Sequence, residues 1–384
     1  MRFLKANRLF SGEKFLAEDS VLVLDEKDQL VEIISENALD SNRIERLEGL
    51  LTPGFVNAHC HLELSHLKGQ IPEHTGLPGF AKQIVSIRNA MPAEERAEHA
   101  READKNMWNK GMVLVGDISN TEESFKIKAD SKLSYHTFIE LIGLHPASVG
   151  AAYERGLQLI QTLKNYNLKG SLAPHAPYST SNELIQRISD YDASHHLPFS
   201  IHNQESLEET KFFAGEKNGF NELYDFLKLD LSWFKAPKQT SLKNYLPFLP
   251  ESPSLLVHNT FSQSEEIKMA GDKGVFWCFC PAANQYIENA LPDYSLFSNY
   301  KNQICLGTDS LASNVTLDVL AELNLIRQAT NCFELADLLR AITSNGARAL
   351  ALSDHFGKLI PGKNTGLNLL EEKNSTLRFI KKTS

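Results

Sequence analysis

At 384 residues with a formal charge of −9, the chain is long enough for one large barrel with a small appendage, and no basic block or Lys/Arg stripe invites a phosphate backbone. No run approaches the roughly 18 apolar residues of a membrane span, and "MRFLKANRLFSGEKF" lacks the apolar core of a secretion signal. The expectation is a cytoplasmic protein with neither nucleic acid nor membrane as partner, and the five irregularly spaced cysteines read as neither a disulfide framework nor a CxxC site.

In chain order, "RFLKANRLF", "SVLVLDE" and "QLVEIISE" alternate apolar and polar residues and predict short strands. From about residue 51, apolar runs alternate with helical stretches eight times. The runs are "LLTPGFVNAH", "GMVLVGD", "LSYHTFIEL", "KGSLAPH", "PFSIHN", "SLLVHN", "VFWCFC" and "QICLGTD". Between them, "PAEERAEHAREADKNMWNKG", opened by Pro92 and closed by Gly111, and "VGAAYERGLQLIQTLKNY" read as crossover helices. The stretch from about 206 to 251 is too long for an ordinary connection and predicts a helical lid or interface element. "TGLNLLEE" and "STLRFIKK" then return as strands. The span from Leu51 to Asp309 fits a barrel of about 250 residues. The fold class is thus α/β: a (β/α)8 TIM barrel over residues 51–356, with a small β-sandwich built from both termini, residues 1–50 and 357–384.

Barrel enzymes keep their chemistry at the C-terminal ends of the strands. The first run ends in "HCH", and alternation points His59 and His61 to one face with Cys60 opposite. The fourth run ends in His175, the fifth in His202, the sixth in His258 and the eighth in Asp309. His66, His74, His99, His136, His145, His195 and His196 lie elsewhere, so position rather than residue type is the signal. Three neutral imidazoles and one carboxylate suit Zn²⁺ or Fe²⁺ with a position open for water. The candidate ligands are His59, His61, His202 and Asp309, and with no lysine ending the fourth run to bridge a second ion, one divalent ion is expected. Glu205 follows His202 as the chain leaves its strand and is a candidate for proton transfer, against a reading as a first-turn helix glutamate. His258 is a candidate for holding or deprotonating water, Asp309 for accepting a proton as well as ligating, and His175 for touching substrate. Cys278 and Cys280 alternate along their run and are expected to be merely buried.

"TPGFVNAHCHLELS", "SIHNQE", "LLVHN", "CPAANQYIENALPDY" and "LGTDSLASN", in this order and followed by "GKLIPGKNTGLNLL", resemble the amidohydrolase superfamily. The nearest match is its metal-dependent deaminase branch, which includes the deaminases of 5′-methylthioadenosine and S-adenosylhomocysteine, aminodeoxyfutalosine and guanine, and the chlorotriazine hydrolases. The resemblance spans nearly the whole chain. It implies the same four ligands for one Zn²⁺ or Fe²⁺, makes Glu205 and His258 catalytic, and matches His175 to a histidine that contacts substrate. The implied reaction is hydrolytic deamination of an amino-substituted N-heterocycle, in which the glutamate protonates the ring nitrogen beside the attacked carbon and helps ammonia leave. An adenine nucleoside derivative such as aminodeoxyfutalosine or S-adenosylhomocysteine is the favoured small-molecule substrate.

Two departures from the family pattern bear on that substrate. Arg88 stands where adenosine-type enzymes carry a glutamate that reads ribose hydroxyls, and its planar donors suit an acidic substrate group instead. "CPAANQ" has alanines where relatives often carry arginine and serine, while Asn284 remains as a candidate substrate contact. The alternatives are deamination of a guanine, pterin or triazine, dechlorination of a triazine, opening of a cyclic amide, and, last, a non-catalytic scaffold. A homodimer is the expected assembly because closed two-fold assemblies are common.

Overall fold

Gly54 divides the first apolar run into two strands with different destinies. In the computed structural model, which describes residues 1–363 and 365–383, the segment before it ends β4 (Ile44–Pro53) and the segment after it is β5 (Phe55–Cys60). β4 belongs to the terminal sheet, where Leu50, Leu51, Thr52 and Pro53 pair with Leu370, Leu369, Asn368 and Leu367. Leu51–Pro53, which the expected barrel included, thus pair in a ladder with the C-terminal strand. Asn364 and Ser384, which the expected terminal domain included, lie outside the described residues.

The two chain ends meet in one separate sheet. β1 (Arg2–Leu9), β2 (Ser20–Leu24) and β3 (Leu30–Ser35) join β4, β13 (Leu367–Lys373) and β14 (Thr376–Lys382) in the order β14-β13-β4-β1-β2-β3. Leu4, Leu22, Leu24, Leu51, Leu367 and Leu369 form its core, the buried face that their alternating sequences anticipate.

The barrel strands after β5 are β6 (Met112–Ser119), β7 (Ser134–Leu141), β8 (Lys169–Pro174), β9 (Phe199–Asn203), β10 (Ser254–His258), β11 (Phe276–Phe279) and β12 (Ile304–Leu306). Their ladders form two parallel halves, β5-β6-β7-β8 and β9-β10-β11-β12. The seams between the halves close through the residues singled out above. At one seam Thr308 N donates to His59 O at 2.9 Å and His61 N to Asp309 O at 3.4 Å; at the other His202 N donates to His175 O at 3.0 Å. Gly307 permits the first of these approaches, since a Cβ there would stand 2.6 Å from the Cβ of His59. Asn57 and Thr308 lock the same seam, with Asn57 Nδ2 donating to Thr308 Oγ1 at 2.8 Å.

Crossover helices Ala93–Asn109, capped by Pro92 and followed by Gly111 at φ +89°, and Val149–Asn165 occupy the expected stretches. Cys278 and Cys280 are fully buried, packed with Leu255, Val257 and Cys305 in the barrel core. The segment from 206 to 251 carries helices Leu207–Ala214, Gly219–Phe226 and Ser241–Tyr245. It packs Phe212, Phe220, Leu223 and Tyr224 with Leu77 and Phe80 of helix Gly76–Ile87. No helix among the described residues is long and apolar enough to cross a membrane.

Candidate active site

The strand ends bring five of the singled-out side chains to one point. His61 Nε2 lies 3.2 Å from His59 Nε2 and 3.3 Å from His202 Nε2, while Asp309 Oδ1 lies 3.3 Å from His61 Nε2 and 3.7 Å from His59 Nε2. His59, His202, His258 and Asp309 each place a ligating atom within 4.8 Å of the others. His202 Nδ1 donates to His175 O at 2.7 Å, which leaves its Nε2 as a bare lone pair facing His61. Converging lone pairs beside a carboxylate repel unless a cation sits among them. Ligands about 2.1 Å from one tetrahedral ion stand about 3.4 Å apart, so the observed spacing fits a divalent metal.

Charge reinforces that fit. Burial lowers the pKa of His61, and burial with the surrounding imidazoles holds His202 well below the ordinary histidine range, so both are neutral donors. Burial alone would push Asp309 up, but the neighbouring imidazoles of His59, His61 and His258 outweigh it and hold the carboxyl well below its usual value. Ser313 Oγ donates to Asp309 Oδ2 at 2.5 Å and fixes the carboxylate plane. Asp309 and His258 adopt φ of +55° and +77°, a left-handed backbone that turns both side chains inward at a local conformational cost.

Glu205 and His258 stand beside the cluster. Glu205 Oε1 is 3.6 Å from His258 Nε2, and both side chains are almost fully buried. Burial, then the charges of Asp309, Glu288 and Glu209, raise the Glu205 pKa well above the usual carboxyl range, which favours its protonated form. His258 is pushed down to about 4, chiefly by burial.

A cavity of about 490 Å³ opens onto these groups. Its wall is mostly apolar, with Leu77, Phe80 and Ile84 on one side and Leu223, Tyr224 and Trp233 from the 206–251 cover on the other. The cover is tied down where Tyr224 Oη donates to Tyr178 O and where the Trp233 ring meets His145 edge to face at 5.1 Å. His175 lines this cavity, with Nδ1 2.6 Å from Ser179 Oγ, and Arg88 lines it from the end of helix Gly76–Ile87.

Asn284 does not line the cavity. The sequence pointed to it as a substrate contact, but it is fully buried and its Oδ1 accepts from His258 Nδ1 at 2.8 Å. It thus directs the other nitrogen of His258 toward Glu205. Sequence reasoning also passed over two acids that end barrel strands. Asp117, closing "GMVLVGD", makes a fully buried ion pair with Lys128 at 2.5 Å and accepts from Leu62 N at 2.7 Å, steadying the chain just after His61. Glu140, next to last in "LSYHTFIEL", lines the cavity beside Asn120. The strand-end rule that found the histidines marks both acids equally.

A parallel barrel whose mouth gathers imidazoles, a low-pKa carboxylate and a buried glutamate of raised pKa defines the class of metal-dependent barrel hydrolases. Residues 50–383 match the model of the Amidohydrolase family, and the chain belongs to that family. Its members of this type are hydrolases acting on carbon–nitrogen bonds, and so is this enzyme. The chain is similar to an adenosine deaminase of Helicobacter pylori, 28% identical with 83% of this chain and 78% of that one covered. It is similar to an aminodeoxyfutalosine deaminase of Nitratiruptor sp., 26% identical with 97% and 91% covered. Among solved structures, the aminofutalosine deaminase of Helicobacter pylori in complex with methylthio-coformycin superposes with a TM-score of 0.84 at 26% identity, covering 97% and 93% of the two chains.

Proposed function

We propose that the protein deaminates the adenine ring of a nucleoside derivative by hydrolysis, using one Zn²⁺ or Fe²⁺ held by His59, His61, His202 and Asp309. The observation that carries this reading is the pair Glu205–His258: a buried acid whose pKa is raised, 3.6 Å from an imidazole, at the edge of the ligand cluster and lining a nucleoside-sized cavity. When bound, the ion would supply the acidity that turns water into a nucleophile near neutral pH, lowering its pKa toward about 7.

The chain's own groups then manage the protons. Glu205 donates its proton to the ring nitrogen next to the carbon that bears the amino group, so that the carbon accepts the oxygen of water. Asp309 and His258 take up the proton that water releases and hold the developing charge. The ionised Glu205 then takes the remaining proton of the added hydroxyl while the first proton passes from Asp309 to the amino group; the carbon–nitrogen bond breaks, ammonia leaves, the ring carbonyl forms and Glu205 is protonated again. The curated relatives named for adenosine and aminodeoxyfutalosine support an adenine nucleoside, as does a relative's structure with methylthio-coformycin.

The apolar wall and Arg88 favour a nucleoside with a bulky apolar extension that carries an acidic group, as aminodeoxyfutalosine does. We read the enzyme as a cytoplasmic homodimer. The test is ammonia release across adenosine, S-adenosylhomocysteine, aminodeoxyfutalosine, guanine, pterins and chlorotriazines, with metal analysis of the purified protein. Deamination confined to adenine nucleosides with about one equivalent of metal is expected. Chloride release, amide opening without ammonia, or a metal-free protein overturns the reading.

A further inference from the structure

Of the three groups that handle protons at the rim, two are held by another side chain: Asp309 by Ser313 and His258 by Asn284. Glu205 has no such partner. Among the described residues no hydrogen bond reaches its carboxyl, and His258 Nε2 at 3.6 Å is its neighbour rather than its tether. Its aim therefore falls to the backbone that carries it.

That backbone turns sharply. Asn203 ends β9, and Gln204 takes a φ of +47°, a left-handed conformation that a residue with a side chain keeps only when its surroundings hold it there. Phe261 N donates to Gln204 O at 2.9 Å and Gln204 Nε2 donates to Glu266 Oε2 at 2.9 Å, which fixes the carbonyl and the side chain. The N–H is held by Glu209, whose Oε1 accepts from Gln204 N at 3.2 Å.

A glutamate at this position ordinarily does something else. Helix Leu207–Ala214 opens with "SLEE": Ser206 is the N-cap, its side chain accepting from Glu208 N at 3.1 Å, and Glu209 stands third in the helix, where a capping-box glutamate bonds the N–H of the cap itself. Glu209 reaches two residues farther back, into the turn between His202 and Glu205. It is 1% exposed and does not line the cavity, whereas Glu205 does. Burial raises the Glu209 pKa to about 7 against the Ser241 hydroxyl and the N–H groups of Gln204 and Glu205, and Oε2 has no hydrogen-bond partner among the described residues. A carboxyl so deep and half unused is costly, so the bond that it does make carries its purpose.

We infer that Glu209 is a positioning residue for Glu205: by accepting the Gln204 N–H it fixes the left-handed turn that carries the Glu205 carboxyl from the end of β9 to the edge of the ligand cluster. The inference rests on the reading of Glu205 as proton donor given above.

Two substitutions separate reach from charge. Glu209→Asp keeps the charge and draws the acceptor back by a methylene; Glu209→Gln gives up the charge and keeps an oxygen in reach. With ammonia release from adenosine and aminodeoxyfutalosine as the assay, Glu209→Asp is expected to lower kcat about tenfold with KM within about twofold, and Glu209→Gln to restore kcat to within about threefold of wild type. In a Glu205→Gln background the further loss from Glu209→Asp should shrink to within about twofold, because nothing is left to position. Metal content should match wild type throughout. Amide hydrogen exchange across residues 203–206, followed by mass spectrometry, should quicken about tenfold in Glu209→Asp and stay unchanged in Glu209→Gln.

Full turnover by Glu209→Asp, equal losses from it with and without Glu205, loss of metal along with activity, or a Glu209→Gln variant as slow as Glu209→Asp overturns the inference while leaving the deaminase standing. Where Glu209→Asp does not fold, Glu209→Gln decides alone, retained kcat supporting the acceptor role and a loss of about tenfold overturning it. No ammonia from either nucleoside in wild type overturns the reaction, and exchange then judges the turn by itself: faster exchange in Glu209→Asp leaves the anchored turn standing, and unchanged exchange overturns that too.

Discussion

The two halves of the barrel rim are built differently. On the β9–β12 half Ser313 ties Asp309 and Asn284 ties His258, and a left-handed backbone over-determines the aim of both. On the β5–β8 half Arg88 lines the cavity without an ion-pair partner among the described residues, and one oxygen of the lining residue Glu140 has no hydrogen-bond partner there, while Asp117 and Lys128 act behind the wall as support. Chemistry requires donors and acceptors fixed before substrate arrives. Recognition requires some that only the substrate satisfies.

Mutations on the β9–β12 half should therefore act on turnover, the strongest first. His202→Ala should lose metal and activity together, measured by metal analysis and ammonia release; a metal-replete variant would show that the ligand lies elsewhere. Glu205→Gln should keep its metal but lose about 10²-fold or more in kcat, the size expected when a positioned proton donor is removed. Asn284→Leu should lower kcat by about 10- to 100-fold with little change in KM, as removing the partner that orients an imidazole commonly does. A purely KM effect there would return Asn284 to the substrate.

On the β5–β8 half the effects should fall on KM and on choice of substrate. Arg88→Met should raise KM about tenfold for a nucleoside bearing a carboxylate and leave neutral nucleosides unchanged, since a charge-assisted hydrogen bond contributes about 1.5–3 kcal/mol. Equal KM values for the acidic substrate in the two proteins would remove Arg88 from the site.

The smallest effect concerns stability, just behind the β12 end of the rim. Burial pushes the Glu322 carboxyl from its ordinary 4.5 up to about 8, where it accepts from Ala282 N and Asn314 Nδ2. The folded state thus binds this proton more tightly than the unfolded chain, so the contribution is present below about pH 4.5 and is lost as pH rises through about 8. Glu322→Gln should lose about 2–4 °C less Tm than wild type between pH 5 and pH 8. Parallel Tm profiles would show that another group sets the slope.

The site was legible where its signal is local. His59 and His61 share a face because strand side chains alternate, and their Nε2 atoms are 3.2 Å apart. His202, His258 and Asp309 were found because barrel strands present their C-terminal ends to one mouth. The same rule marked Glu140 and Asp117, but nothing local distinguishes an acid that will meet Lys128 from one that will face a cavity. Asn284 was misplaced for a related reason: helix Pro281–Glu288 turns it behind His258, an orientation set by packing rather than by "CPAANQ". The 206–251 segment announced itself by length and apolar helical pattern, yet its seat against helix Gly76–Ile87 is a contact between distant parts of the chain.

By itself the amino-acid sequence determined the eight-fold alternation, the joining of the two chain ends, and which residues stand at strand ends, because periodicity and turn chemistry are short-range properties of the backbone. Only the tertiary structure decided that the seams of the barrel close through the strand-end residues His59, His61, His175, His202 and Asp309, that burial raises the pKa of Glu205, and that one oxygen of Glu140 has no partner among the described residues. Those depend on which distant groups become neighbours and on how much water is excluded from between them.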